Sequence, residues 1–263
     1  MTEAHHRGEN GDDAPPASRA LIDCRPSFMR TDAFGLIVAA TVFESAACLL
    51  LSRYAPKSWN REVSGSPLWS WWAGAFHQAI VFPAFTLMAL DPVVKDGMSL
   101  STWLRIPWSE SDVCTACQYL HISLLVYWLK DIVAVKLSAI IWIHHIVCLL
   151  SVYASMTSIL KDGPAVFALG GTVLELGSLV NSVCELCPGL TIRLCMTPLM
   201  ALSNCFATAL VIWFAWTFEG HGTNIGWYVA AFVGTGLSVL RQREWQGRVR
   251  QDFISSRMGK KTQ

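Results

Sequence analysis

Charge is scarce in this chain. Only 15% of its 263 residues are Asp, Glu, Lys or Arg, against roughly a quarter in soluble domains. Neither sign dominates, since 20 Lys and Arg face 19 Asp and Glu. A net charge of +1 supplies no overall field to draw a polyanion, and no nucleic-acid partner is expected. The first 31 residues lack a long apolar run, so they do not read as a cleavable signal peptide. With "APPAS" among them, they read as a polar, disordered tail. No His-x-x-x-His spacing places two imidazoles on one helix face, so no metal is expected.

What fills the chain instead is apolar. Hydrophobic residues make up 53% of it and the mean hydropathy is +0.40. Seven runs are long enough to approach the ~20 residues that cross a bilayer as a helix. They cover 33–52, 67–90, 117–135, 137–160, 164–186, 194–216 and 223–240. The expected fold is an all-α membrane protein with about seven transmembrane helices, six to eight. Its expected divisions are the tail at 1–31, a transmembrane domain at 32–241 and a basic cytosolic tail at 242–263. Trp69, Trp71 and Trp72 open the second run, as an interfacial aromatic belt would. The loop at 91–116 carries "STWLRIPWSE" and is expected on the membrane surface.

Basic residues set orientation. Arg241, Arg243, Arg248, Arg250, Arg257, Lys260 and Lys261 follow the last run, which places the C-terminus in the cytosol. Arg53, Lys57 and Arg61 fall on the same side, whereas Arg19, Arg25 and Arg30 oppose this assignment. The chain ends "KKTQ", which resembles a dilysine retrieval signal of the endoplasmic reticulum.

Cysteine is plentiful but dispersed. Cys48, Cys148, Cys195 and Cys205 sit in apolar runs as small hydrophobes. "CTAC" (Cys114, Cys117) opens the third run and "CELC" (Cys184, Cys187) closes the fifth. On a seven-span topology these pairs face opposite sides of ~30 Å of hydrocarbon, too far apart for one zinc site.

Ionisable residues inside spans are expensive and mark functional sites by default. Here they are Glu44, His77, His121, Lys130, Asp131, His144, His145 and Glu175. Glu44, His77 and His121 read individually as helix-to-helix glue. The others converge by depth. Asp131 lies near the cytosolic end of the third run, His144 and His145 about two turns into the fourth, and Glu175 near the middle of the fifth. Tyr127 shares a face with Asp131 at i,i+4, and Glu175, Ser178 and Asn181 form another face at i,i+3. His144 and His145 point about 100° apart. One polar pocket, open toward the cytosol and reachable from the bilayer, accounts for all of them. A histidine there can move protons or act as a nucleophile, and a carboxylate can fix its tautomer.

The segment "VYWLKDIVAVKLSAIIWIHHIVCLLSVY", followed by "LELGSLVNSV", resembles the TLC-domain family. That family includes the ceramide synthases and the translocating-chain-associating membrane proteins. The resemblance covers roughly residues 30–250 and rests on Tyr127, Asp131, Lys136, the His144–His145 pair, Glu175, Ser178 and Asn181. It implies helices arranged around a central lipid-accessible cavity faced by the double histidine, residence in the endoplasmic reticulum or a related endomembrane, and membrane lipids as partners. Ceramide synthases carry a His-Asp pair and a further Asp where this chain reads "VLELGSLVNSV". The resemblance is therefore to a branch outside the ceramide synthases.

Two functions follow. One is lipid homeostasis by binding, sensing or moving lipid, with Tyr127, Ser178 and Asn181 as lipid-binding residues. The other is acyl transfer with acyl-CoA as co-substrate and no further cofactor. There His144 or His145 is base or nucleophile, and Asp131 or Glu175 its partner. A seven-helix receptor or channel fits less well, because the polar residues gather on one side rather than forming a path through the membrane.

Overall fold

The computed structural model describes residues 31–105, 111–137, 139–156, 163–217 and 225–259, and helices account for nearly all of these. The expected N-terminal tail and the dilysine end lie outside the described residues, as does part of the loop at 91–116. The long helices are α1 (Thr31–Tyr54), α6 (Ser111–Ala134), α7 (Ala139–Met156), α8 (Pro164–Leu186), α9 (Leu190–Thr217) and α10 (Ile225–Gly259). A seventh rod runs over 68–89 as α2 (Leu68–Phe76), a π turn (His77–Val81) and α3 (Phe82–Ala89). Short helices α4 (Asp91–Lys95) and α5 (Leu100–Leu104) follow it.

Among the described residues, three helices are long and apolar enough to cross a membrane: Phe34–Tyr54, Ala165–Leu186 and Leu190–Thr217. The other expected runs are helical but each departs from a plain apolar span. The 68–89 rod is interrupted by its π turn. Helix α6 carries His121, Lys130 and Asp131. The apolar part of α7 described, Ile141–Met156, is shorter than a span. Helix α10 is apolar only in its first half.

The π turn has a local cause. Pro83 sits in the first turn of α3. Its ring has no N–H and crowds the carbonyl four residues back, at Ala79. The backbone widens there, and the Phe82 N–H donates to the His77 carbonyl, five residues back.

Helix α8 is the hub, packing against α2, α3, α5, α6, α7 and α9. Helix α9 lies between α8 and α10, and α1 leans on α6. Toward one end of the bundle, the packing among the described residues is made by large apolar rings. There Trp103, Phe214 and Trp227 are fully enclosed, and the Trp103 indole donates to the Ala89 carbonyl at 2.7 Å. Gly163 precedes α8 at φ +82°, with the Phe214 and Trp227 rings against its Cα, so a side chain at that position meets both strain and collision. Large apolar side chains also face outward: Phe43 on α1, Leu202 and Trp216 on α9, and Phe232 on α10. Such a rind suits lipid rather than water.

The other end is polar. Strands β1 (Glu62–Val63) and β2 (Ser66–Pro67) form a minimal antiparallel hairpin. Both turn residues have positive φ, Ser64 at 50° and Gly65 at 83°, as a two-residue hairpin turn of the right hand requires. Helix α10 runs through position 242 without a break. Beyond it, Arg248 pairs with Glu185 at 2.6 Å, and Asp252 accepts from Arg193 at 2.6 Å. The Trp245 indole donates to Thr197 at 3.0 Å. This stretch is helical and bound to α8 and α9.

Candidate functional site

A cavity of about 350 Å³ opens at the polar end, between α2, α6, α7, α8 and α10. Tyr127, Asp131, His144, His145, Glu175, Ser178 and Asn181 all line it. Those seven residues come from three helices and are separated by up to 54 positions, yet they share one wall system.

The Asp131 carboxylate is the first node. One oxygen faces Lys130 Nζ at 3.0 Å and the other faces His145 Nε2 at 3.2 Å. Lys130 is 2% exposed, and its ammonium also lies 4.5 Å from the centre of the Tyr127 ring. Charges this enclosed persist only when paired. His145 is held from both sides. Its Nδ1 lies 2.8 Å from the Ile141 carbonyl, while its Nε2 meets the carboxylate, so both ring nitrogens face acceptors.

His144 differs. Its two ring nitrogens lie 3.8 and 3.6 Å from the sulfur of Cys148, one turn along the same helix. A thiol is a weak partner. The adjacent histidines therefore have divided situations. His145 is fixed by Asp131, and His144 lines the cavity with its nitrogens only loosely engaged.

Gln78 is the second node, and the π turn presents it. Its amide nitrogen donates to the Glu175 carboxylate at 3.1 Å and to the Tyr127 hydroxyl at 3.3 Å. Its carbonyl oxygen accepts from Ser182 at 3.1 Å. One short-range distortion thus ties α2, α6 and α8 together across the cavity. Asn181 accepts from Arg248 at 3.3 Å, which joins the cavity to the ion pairs outside it. The hairpin lies over the same end. Ser64 donates to Glu185 at 2.6 Å, and the Trp71 indole donates to the Val63 carbonyl at 3.0 Å.

Of the other intramembrane candidates, Glu44 and His77 meet each other at 3.4 Å, a helix-to-helix contact between α1 and the π turn. His121 bonds the Cys117 carbonyl in its own helix and stacks on Phe167. Cys184 and Cys187 are both free thiols. Among the described residues, no group of three or more His, Cys, Asp and Glu side chains has a metal-binding arrangement.

Sequence reasoning passed over Gln78, Ser182, Arg241, Glu244 and Arg248, all of which line the cavity. Gln78 is a lone amide in an apolar run, and its neutrality hid it. Arg241 and Arg248 were absorbed into an orientation signal. Their helical phase held the clue, since Arg241, Glu244, Trp245 and Arg248 recur at spacings of three and four.

The chain matches no family model, no curated protein and no solved structure.

Proposed function

We propose that this chain is a TLC-type multi-pass membrane protein that binds lipid in the cavity between α2, α6, α7, α8 and α10, and that it acts in lipid homeostasis. The observation that carries this is convergence. Seven residues selected by sequence alone line one cavity, whose walls are mainly apolar with a set of polar side chains among them. An apolar enclosure with a few placed polar groups is the usual form of a small-ligand site. The seven rods are read as seven spans, with the π turn and the Asp131 node tolerated because protein rather than lipid surrounds them. The basic residues of α10 favour a cytosolic polar end, and we read the membrane as an endomembrane such as the endoplasmic reticulum.

A second reading, acyl transfer from acyl-CoA, is favoured by the contrast between the two histidines. His144 is placed to accept the proton of an attacking amine or hydroxyl as the thioester carbon–sulfur bond breaks. His145, fixed by Asp131, positions the helix that carries it.

The test is acyl-CoA turnover and co-purifying lipid, both read by mass spectrometry on protein in lipid vesicles, for wild type and His144→Gln. The expected result is bound lipid in wild type. Turnover that vanishes in a His144→Gln variant of unchanged melting temperature establishes the acyltransferase. A wild-type protein with neither bound lipid nor turnover overturns both readings.

A further inference from the structure

Arg193, Arg241 and Arg248 are not treated alike. Arg248 is paired with Glu185 at 2.6 Å and Glu244 at 2.7 Å. Arg193 is paired with Asp252 at 2.6 Å and Glu185 at 3.5 Å. Arg241 lines the cavity, and both of its terminal nitrogens, Nη1 and Nη2, are buried with no hydrogen-bond partner among the described residues. A guanidinium is charged under all ordinary conditions and carries five donors in a planar fork. Enclosing one without an acceptor is costly.

The surroundings are shaped to admit it. Arg241 crosses α8 at Gly177, where an added Cβ would collide with Arg241 Nη2 and with Ser203 Oγ. Glycine at that crossing leaves the space through which the guanidinium reaches the cavity. Two carboxylates of the cavity, Glu175 and Glu244, act on it through space, but neither bonds it directly. One Glu175 oxygen accepts from Gln78 at 3.1 Å, and among the described residues Arg241 forms no ion pair within 4.0 Å. His144 also lines the cavity, and among the described residues its ring nitrogens meet only the sulfur of Cys148. Trp128, Ile143, Met200, Leu237 and Leu240 complete an apolar lining.

We propose that Arg241 is the anion anchor of this cavity, and that the occupant is a long-chain amphiphile whose head is an oxyanion, a carboxylate or a phosphate. The inference rests on the lipid-binding reading above and adds the chemistry of the head. A planar guanidinium grips either oxyanion through two parallel hydrogen bonds, while the apolar walls take the chain. A neutral alcohol of equal chain length offers the fork one oxygen and no charge.

The test uses the full chain in nanodiscs of neutral phosphatidylcholine. Palmitate, hexadecyl phosphate, hexadecanol and inorganic phosphate are the probes, and binding is measured by native mass spectrometry. The expected result is that palmitate or hexadecyl phosphate binds about ten-fold or more tightly than hexadecanol, the size of a charge-assisted hydrogen bond. Arg241→Gln and Gly177→Ala, which removes or displaces the fork, are expected to erase that preference while hexadecanol still binds. If either variant fails to fold, the head-group series on the wild type decides alone. Hexadecanol binding as tightly as the anions overturns the anchor and leaves the lipid pocket standing. So does an anion preference that survives in well-folded Arg241→Gln. Inorganic phosphate competing as well as hexadecyl phosphate overturns the amphiphile. If no amphiphile binds at all, the lipid pocket fails and the anchor with it.

Discussion

The two ends of the bundle are built on opposite principles. Around Trp103, Phe214 and Trp227 the packing is held by shape, with rings against rings and a glycine where nothing larger fits. Around Asp131 and Glu185 it is held by shared partners. Asp131 serves Lys130 and His145 together, and Glu185 serves Arg193, Arg248 and Ser64. Shape tolerates no added atom, whereas a shared carboxylate tolerates no lost one. Where a membrane protein gathers its costly groups at one end, that end holds the candidate site, and the other end carries the stability that offsets it.

The contrast can be broken most forcefully at Asp131. Asp131→Ala leaves Lys130 and His145 enclosed without their counter-charge, and is expected to cost about 3–5 kcal/mol, read as a large fall in melting temperature in detergent. Asp131→Asn, which keeps a hydrogen-bond acceptor, is expected to fall between. An unchanged melting temperature for Asp131→Ala would mean that the polar end is not held by its charges. At the apolar end, Gly163→Ala adds a methyl against Phe214 and Trp227 and forces a left-handed backbone. The expected loss is about 2–4 kcal/mol, with lipid binding by the folded protein unaltered. Binding lost together with stability there would dissolve the distinction between the ends.

Gln78→Leu sharpens the comparison. It strands Glu175 and Tyr127, while Ser182 keeps the Ser178 carbonyl at 3.2 Å; the expected cost is about 1–3 kcal/mol, with less bound lipid as well as a lower melting temperature. Ser64→Ala removes a hydrogen bond at the exposed edge of the polar end. Its expected effect is the smallest, about 1 kcal/mol, because Glu185 retains both arginines.

Much of this was legible in the sequence, for identifiable reasons. The apolar runs marked the rods, since hydrophobic length is a direct signal of long helices. Ionisable residues at odds with their apolar setting pointed to Tyr127, Asp131, His144, His145, Glu175, Ser178 and Asn181, and these share one cavity. The π turn was not legible, although Pro83 was the residue to question inside a helical run. Gln78 went unnoticed with it. The tail at 242–263 was set apart because its composition changes there. Composition reports the solvent a helix meets, whereas backbone continuity depends on propensity, and nothing between Leu240 and Gly247 breaks the helix. The pairs Arg193–Asp252 and Arg248–Glu185 join positions dozens of residues apart, a relation that periodicity within one helix does not encode.

The π turn at His77–Val81 has a further consequence, in the length of the chain itself. Such a turn is an ordinary helix that holds one residue too many. Removing a single residue from it, Ala79 for instance, would restore regular geometry locally and improve every hydrogen bond nearby. It would also turn all of α3 by about 100° and draw it back by about 1.5 Å. Phe82 would leave the Tyr127 ring, 5.4 Å away, and Thr86 would lose Thr172 at 2.5 Å. A deletion that perfects the helix would thus unfit it for its neighbours. In this segment the count of residues is under tighter constraint than most of their identities.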